Sequence, residues 1–343
     1  MMKVSVVILN WNGCDMLRTF LPSVVRYSEG EGVEVCVADN GSTDTSVSLL
    51  QQEFPSVRTI VLDQNYGFAD GYNWALQQVD AEYVVLLNSD VEVTEHWLEP
   101  MIAYLDKHPE VAACQPKIRS QRQKEYFEYA GAAGGFIDKY GYPFCRGRIM
   151  EVVEKDEGQY DTVIPVFWAT GAALFIRRVD YVNVGGLDGR FFAHMEEIDL
   201  CWRLRSRNRE IVCIPQSIVY HVGGATLKKE NPHKTFLNFR NNLVMLYKNL
   251  PQKELNKVMR IRACLDYVAA FNFLLQGHWD NARAVIRARK EYKQLCPSFS
   301  LSREENMRKK TLNPIPERTK SSILWQFYAR GCKRFSQLSD LKG

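Results

Sequence analysis

The sequence lacks any stretch near the ~20 consecutive apolar residues that a membrane-spanning helix needs. Its best approach, Ala263 to Leu275, is short and carries Asp266. The opening MMKVSVVILNWNG has one lysine followed by a brief apolar run, too short for the core of a signal peptide, and reads as a first buried strand. The nine cysteines are odd in number and scattered, and no Cys-x-x-Cys pair occurs. That argues against a disulfide framework and for small buried hydrophobes in a reducing cytoplasm. There is no internal repeat at solenoid spacing and no nucleic-acid recognition motif. The turn after the first strand, NWNGCDMLR, is not a glycine-rich basic phosphate loop.

What is present is a globular composition, 46% hydrophobic and 24% charged, long enough at 343 residues for one large domain or two ordinary ones. The formal net charge of +4 hides an asymmetry: residues 251–343 hold 19 Lys/Arg against 8 Asp/Glu, and the remaining 250 residues hold 25 against 32. An acidic body is joined to a basic C-terminal region. Such a block serves an anionic membrane surface, nucleic acid or an acidic partner, or is a solvated helical face; the acidic body and the missing motif argue against nucleic acid.

The first 120 residues alternate strand and helix signals. Strands are expected at Val4–Leu9, Val33–Asp39, Val57–Asp63, Tyr83–Asn88 and Val111–Pro116. Between them, Leu17, Phe20, Leu21, Val24 and Val25 recur at helical spacing. Ser42 or Thr43 is placed to cap a helix ending near Phe54, a third helix covers Gly71–Val79, and Thr94 is placed to cap Glu95–Lys107. The pattern predicts an α/β fold with a mostly parallel, doubly wound sheet, whose ligands bind beyond the carboxyl ends of the strands. Asp39, Asp63 and Asp90 fall at those ends. From Gln121 to Gln159 the pattern weakens into an expected long loop or hairpin region. Strand, glycine turn and strand follow over Ile164–Arg178, then a helix over Met195–Arg207, two short strands in EIVCIP and SIVYHV, and a mainly helical remainder from Lys234. The organisation expected is a body of residues 1–233 and a helical, basic region of residues 234–343.

Six motifs come in order: VSVVILNWNG, VCVADNGSTD, NYGFADGYNWAL, VLLNSDVEV, WATGAALFIRR and FFAHMEEIDLCWRL. Together they resemble family 2 glycosyltransferases with the GT-A (nucleotide-diphospho-sugar transferase) fold, of the bacterial rhamnosyltransferase-like subgroup that serves surface polysaccharide synthesis. The resemblance covers about residues 3–250.

The resemblance implies roles for particular residues. Asp39 takes the position of the base-binding carboxylate, beside Asn40; the alternative for the residue alone is an Asx turn. Asn10 and Asn12 are offered to the nucleoside pocket. Asn65, Gly67 and Phe68 belong either to donor binding or to a tight strand-to-helix turn. In Asn88-Ser89-Asp90, Asn88 stands where the family's first acid usually is. Asp90 takes the metal role, and His221 is a second ligand or a packed strand-end residue. Oxygen ligands suit Mg²⁺ or Mn²⁺, and an imidazole tilts the choice toward Mn²⁺. Glu197 maps to the general base that is Asp in the family pattern, with Glu196 as the alternative. Asp199 pairs structurally with Arg203, four residues on. Trp168, Thr170 and Gly171 line the sugar and acceptor pocket by resemblance, although Trp168 reads equally as core. Arg240 could pair with the diphosphate through its planar fork.

The expected activity is inverting, metal-dependent transfer of a sugar from a nucleotide-diphosphate donor, dTDP-rhamnose or a UDP-hexose, to a hydroxyl of a polysaccharide or lipid-linked glycan. The protein is expected in the cytoplasm, with peripheral association at the inner face of the membrane through the basic region. The competing readings are a sugar nucleotidyltransferase and a catalytically inactive nucleotide-binding scaffold. The motifs specify no oligomeric state.

Overall fold

The computed structural model describes residues 1–223 and 231–338. Its first half alternates β1 (Met2–Asn10), α1 (Cys14–Tyr27), β2 (Val33–Asp39), α2 (Ser46–Glu53), β3 (Arg58–Val61), α3 (Gly67–Gln77) and β4 (Ala81–Asn88). The short β5 (Val91–Val93), α4 (Glu99–Lys107) and the long β6 (Val111–Ser120) follow. β4 pairs with β1, β1 with β2 and β2 with β3, all parallel, as the apolar runs predict. Val84 to Leu87 are wholly buried, which is why this strand is apolar on both faces.

Two expected caps are not caps. The second helix begins at Ser46, whose N–H is received by Asp44 Oδ1 at 3.0 Å, while Ser42 and Thr43 lie in the preceding loop. Thr94 donates instead to the Ile218 carbonyl, and α4 begins only at Glu99. The third helix starts at Gly67, four residues earlier than the apolar spacing suggested.

The weakly patterned segment holds a small antiparallel sheet: β7 (Gly135–Ile137), β8 (Pro143–Cys145), β9 (Arg148–Ile149) and β10 (Val152–Val153). Strands of two or three residues carry no readable alternation. Phe136 and Phe144 hold the sheet by packing on each other and on Phe335 of the C-terminal tail. Next come β11 (Ile164–Pro165), β12 (Ala173–Arg177), α5 (Arg178–Asn183), α6 (Glu196–Ser206) and β13 (Glu210–His221). β12 lies antiparallel between β4 and β6. The two short strands expected near the end of the body are the single β13. It runs parallel to β6 with its register broken between Ile214 and Ile218, at Pro215-Gln216-Ser217. Beyond that bulge it pairs antiparallel with β5, setting His221 opposite Val91. The main sheet order is β11-β13-β6-β12-β4-β1-β2-β3.

The helical region comprises α7 (Pro232–Asn249), α8 (Gln252–Leu275), α9 (Trp279–Leu295) and α10 (Ser300–Lys309). Helix α7 starts at Pro232, two residues before the expected start, and Leu243, Val244, Met245, Leu246 and Leu250 belong to the same core as Val84, Leu86 and Leu174 of the sheet. The segment after α10 returns to the body. Arg205 forms a bidentate ion pair with Glu317, Thr319 N–H donates to Ile137 O, Ile323 N–H to Asp138 and Phe335 N–H to Glu154. The last five residues of the basic region lie outside the described residues. Among those described, no helix is long and apolar enough to cross a membrane.

Candidate active site

The carboxyl ends of β1 and β2 lie side by side, Asn10 opposite Asp39. Asn10 Nδ2 donates to Asp39 Oδ2 at 3.0 Å, and Ser42 N–H to Asp39 Oδ1 at 2.9 Å. Asp39 thus binds the loop after β2 through the N–H three residues on. A carboxylate has about four lone-pair positions, so two such bonds leave acceptor capacity. Asn10 is buried, and its Oδ1 has no hydrogen-bond partner. Asn12, left-handed at φ 50°, uses its Oδ1 to receive the N–H groups of Thr43 and Asp44 and so shapes the loop beside the strand ends.

Asn40 and Asn65 do not face outward as free groups. Asn40 Nδ2 donates to Asn65 Oδ1 and Gly67 O, both at 3.0 Å, and its Oδ1 receives Tyr66 N–H. Asn65 Oδ1 also receives Gly67 N–H. The two amides clasp the entry to α3. Gly67 sits at φ +76°, where a side chain would be strained and would press on the Phe192 ring 3.2 Å away. The clasp sends the half-buried Phe68 toward Gly171, where a Cβ would lie 3.2 Å from Phe68 Cζ and 3.8 Å from Glu197 Cβ.

The triplet ends β4. Asn88 N–H donates to Ala172 O at 3.0 Å, tying the triplet to the turn that carries Gly171. Ser89 lies across from Gly13, the residue before α1, its Oγ 3.8 Å from the position of a Cβ there. Asp90 Oδ1 is 3.1 Å from His221 Nε2, and Asn88 Nδ2 is 3.4 Å from the same nitrogen. His221 Nδ1 has no hydrogen bond but faces Glu128 Oε1 at 3.7 Å. Burial alone would lower the imidazole pKa; the bond to Asp90 and the charge of Glu128 more than offset it and push it up to about 10. Burial likewise works against the Asp90 carboxylate, and the bond from His221 holds it below the usual range.

No cluster of three or more His, Cys, Asp or Glu side chains suited to a metal occurs among the described residues. The donor set of Asp90 and His221 still fits a cation whose remaining positions are filled by diphosphate oxygens and water. The fit requires His221 to give up its Nε2 proton, and Glu128 stands where a carboxylate orients the far side of a ligating imidazole.

The start of α6 carries two adjacent acidic groups, one buried and one half-buried. Phe192, His194 and Met195 are all left-handed, at φ 66°, 71° and 75°. Non-glycine residues rarely hold such angles unless the surroundings impose them. Here Asn241 of α7 does so: its Nδ2 reaches the carbonyls of Phe191, Ala193 and His194 at 2.8–2.9 Å. Glu196 is buried and Glu197 half-buried, and Oε2 of each lacks a partner. Burial, then the neighbouring Glu197 charge, raises Glu196 well above the usual carboxylate range. Burial also raises Glu197, opposed by backbone N–H groups of the helix start. Asp199 forms the expected bond with Arg203 at 2.9 Å, and Lys248 and Asn249 of α7 join it.

Three residues read from the sequence as possible ligand contacts are engaged internally. Trp168 is buried with its Nε1–H on Phe136 O, packed under Gly135, so no face is open to a sugar. Thr170 is buried, its N–H on Gln115 and its Oγ1 receiving Ala172 N–H. Arg240 spends its guanidinium on Glu291 of α9, Asn241 and Phe191 O, and links helices rather than facing the strand ends. Conversely, Glu128 and Asn241 went unnoticed in the sequence. Glu128 belongs to no motif. For Asn241 a signal exists: adjacent asparagines at 241 and 242 on the apolar side of a helix, where Asn is a poor helix former, imply that their amides have other work.

The family model described as glycosyl transferase family 2 matches residues 5–178. The chain is 27% identical over 230 residues to the N-acetylglucosaminyl-diphospho-decaprenol L-rhamnosyltransferase of Mycobacterium tuberculosis, covering 63% of this chain and 75% of that one. It is 26% identical over 232 residues to the O-antigen biosynthesis protein RfbC of Myxococcus xanthus, covering 66% of this chain but only 18% of that protein's length. Among solved structures, GalNAc-T7 with UDP, GalNAc and Mn²⁺ superposes with a TM-score of 0.58 at 14% identity, over 93% of this chain and 59% of that one. Residues 1–349 of S. aureus TarS with UDP-GlcNAc give 0.57 at 16% identity, over 90% and 89%. The fold is that of GT-A glycosyltransferases, with a helical C-terminal region added.

Proposed function

The chain belongs to glycosyl transferase family 2, and on that premise we propose an inverting, metal-dependent transferase. It moves a hexose or rhamnose from a nucleoside-diphosphate donor, dTDP-rhamnose first and a UDP-hexose next, to a hydroxyl of a polysaccharide or lipid-linked glycan. The rhamnosyltransferase relatives support the donor, and the decaprenol in the mycobacterial enzyme's name supports a lipid-linked acceptor. The basic helical region supports peripheral contact with the inner face of the cytoplasmic membrane.

The observation that carries the reading is one short connection. The triplet holding Asp90 is hydrogen-bonded through Asn88 to Ala172, and the adjacent Gly171 lies against Phe68 and Glu197. The leaving-group site would sit on this strand-and-turn unit and the proton acceptor, on α6, against it, with the nucleoside side at Asn10 and Asp39 next to it. The free Asn10 Oδ1 and the spare lone pairs of Asp39 suit a pyrimidine N–H or a ribose hydroxyl. A divalent cation, Mn²⁺ or Mg²⁺, bound by Asp90 and His221 would neutralise charge on the departing diphosphate. Phe68 and Gly171 shape the space for the sugar. Glu197 takes the proton of the acceptor hydroxyl as that oxygen bonds the anomeric carbon and the bond to the diphosphate breaks on the opposite face. A pKa raised toward neutrality suits a base that must both accept and release a proton. Glu196 is the more deeply buried, and burial with the Glu197 charge raises it well above the usual carboxylate range, which favours Glu197 as the base.

The test is nucleoside-diphosphate release from a panel of UDP-, dTDP- and GDP-sugars with Mn²⁺, Mg²⁺ or EDTA, for the wild type, Asp90→Ala and Glu197→Gln. Cation-dependent release from one donor, lost in Asp90→Ala, is expected. Turnover that instead requires pyrophosphate, or no binding of any nucleotide by titration, would overturn the proposal.

A further inference from the structure

Helix α8 runs 24 residues, about 36 Å at 1.5 Å per residue. Its buried side, with Leu255, Val258, Arg262, Asp266 and Ala270, packs inward. Lys253, Lys257, Arg260, Tyr267, Val268, Phe271 and Leu275 follow spacings of three, four and seven and so share a sector of about 100°, flanked by the exposed polar residues Gln252, Asn256 and Asn272. That single stripe changes character along its length. The first half carries Lys253, Lys257 and Arg260, all exposed and none with a carboxylate partner among the described residues. The second half is apolar: Tyr267 is 56% exposed, Val268 64%, Phe271 60% and Leu275 71%. At the corner where α8 turns into α9, Trp279 is 61% exposed. Along α9 the exposed residues include Ile286 with Arg283, Arg287 and Lys290, besides Asp280, Lys293 and Gln294. A water-facing helix surface is ordinarily polar, and a contiguous exposed apolar strip of this kind marks a docking surface.

The charges identify what docks. The acidic groups on these two helices are already satisfied: Glu254 by Arg318, Asp266 by Arg262 and Arg289, Asp280 by Arg283 and Glu291 by Arg240. A second copy laid on the stripe would cover the cations of α8 without offering a carboxylate from the same surface. An anionic lipid leaflet offers phosphates to the basic half and acyl chains to the apolar half. We propose that the exposed stripe of α8, with the Trp279 corner, docks on an anionic membrane surface, Phe271, Leu275 and Trp279 entering the acyl boundary and Lys253, Lys257 and Arg260 lying at the headgroups. This deepens the reading of a membrane-borne acceptor and rests on it only for its purpose.

The experiment is co-sedimentation of the full chain with vesicles of phosphatidylcholine alone or mixed with phosphatidylglycerol, at low and high salt. The wild type is expected to bind the phosphatidylglycerol vesicles, more weakly in salt. Phe271→Ser/Leu275→Ser should bind at least about tenfold more weakly, and Lys257→Glu/Arg260→Glu weaker by roughly fivefold for each cation removed. Donor hydrolysis in solution should be unchanged in both variants, which separates this surface from the catalytic reading. Failure to bind anionic vesicles, binding indifferent to Phe271 and Leu275, or a wild-type dimer that the serine variant splits would overturn the proposal.

Discussion

Replacing Asn241 by alanine removes a side-chain donor that reaches three carbonyls of a left-handed segment, those of Phe191, Ala193 and His194, and leaves the Arg240 bond to Phe191 O. An amide nitrogen has two hydrogens, so the three contacts amount to about two full bonds, each with a net value of about 1 kcal/mol. The loss expected is therefore about 2 kcal/mol. Unfolding entropy near 2.1 cal/mol/K per residue gives about 0.7 kcal/mol per kelvin for 343 residues, so Tm should fall by about 3 °C. Activity should fall further. The residues at φ 66°, 71° and 75° store about 1–3 kcal/mol each, and once released they relax and move Glu196 and Glu197. A displacement near 1 Å costs on the order of 100-fold in rate. Asn241→Asp, which turns carboxylate oxygens on the three carbonyls, should be worse than alanine. The assay pairs thermal unfolding with sugar transfer and a donor titration, and donor affinity should stay close to wild type because the nucleoside end is held by other strands. An unchanged rate in Asn241→Ala, or a rate loss matched by equal loss of donor affinity, would refute the idea that this amide sets the position of the base.

The acid limb of kcat/KM should lie above the ordinary glutamate range, because burial raises Glu197 in the folded protein. The sign for stability follows: a carboxyl with a raised folded pKa disfavours the fold once pH exceeds its unfolded value of about 4.5, so Glu197→Gln should gain stability relative to wild type as pH rises from 4 to 8, read by thermal melts. Asp90→Ala leaves the buried His221 without its hydrogen-bond partner and should cost roughly 3 kcal/mol. It should also abolish any rise in Tm that Mn²⁺ with a nucleoside diphosphate gives the wild type. Arg240→Ala should lower Tm through loss of its bond to Glu291 yet leave the donor KM within about twofold, since its guanidinium serves the helices; a large rise in KM would restore it to the diphosphate.

The strands that carry the site were legible because each is an apolar run ending on a polar residue: Asn10, Asp39 and Asn88 close three adjacent parallel strands. The helix after Met195 was legible too, through acids at its start, arginines at its end and the Asp199–Arg203 spacing. Illegible features depended on partners far off in the chain. Glu128 meets His221 across 93 residues, and Arg240 finds Glu291 51 residues on, so no local pattern could tell a ligand-binding arginine from a tethered one. Trp168 and Thr170 looked like pocket residues because a motif fixes their place in the chain but not which way their side chains turn. The bulge at Pro215–Ser217 hid the continuity of β13 by placing three non-aliphatic residues inside an apolar strand.

The tail that follows α10 bears on modularity. It leaves the helical layer and stitches itself to the body through Glu317, Thr319, Ile323 and Phe335, while α7 shares its apolar side with the central sheet. The helical region is thus not a cassette that can be exchanged or cut away at residue 233. Cutting there would strip the sheet of one wall, uncover Asp138 and Glu154, and remove the amide that poses the start of α6. Recombination among relatives would have to exchange body and tail together, and the face that α8 presents to its surroundings is inherited as one piece with the site that does the chemistry.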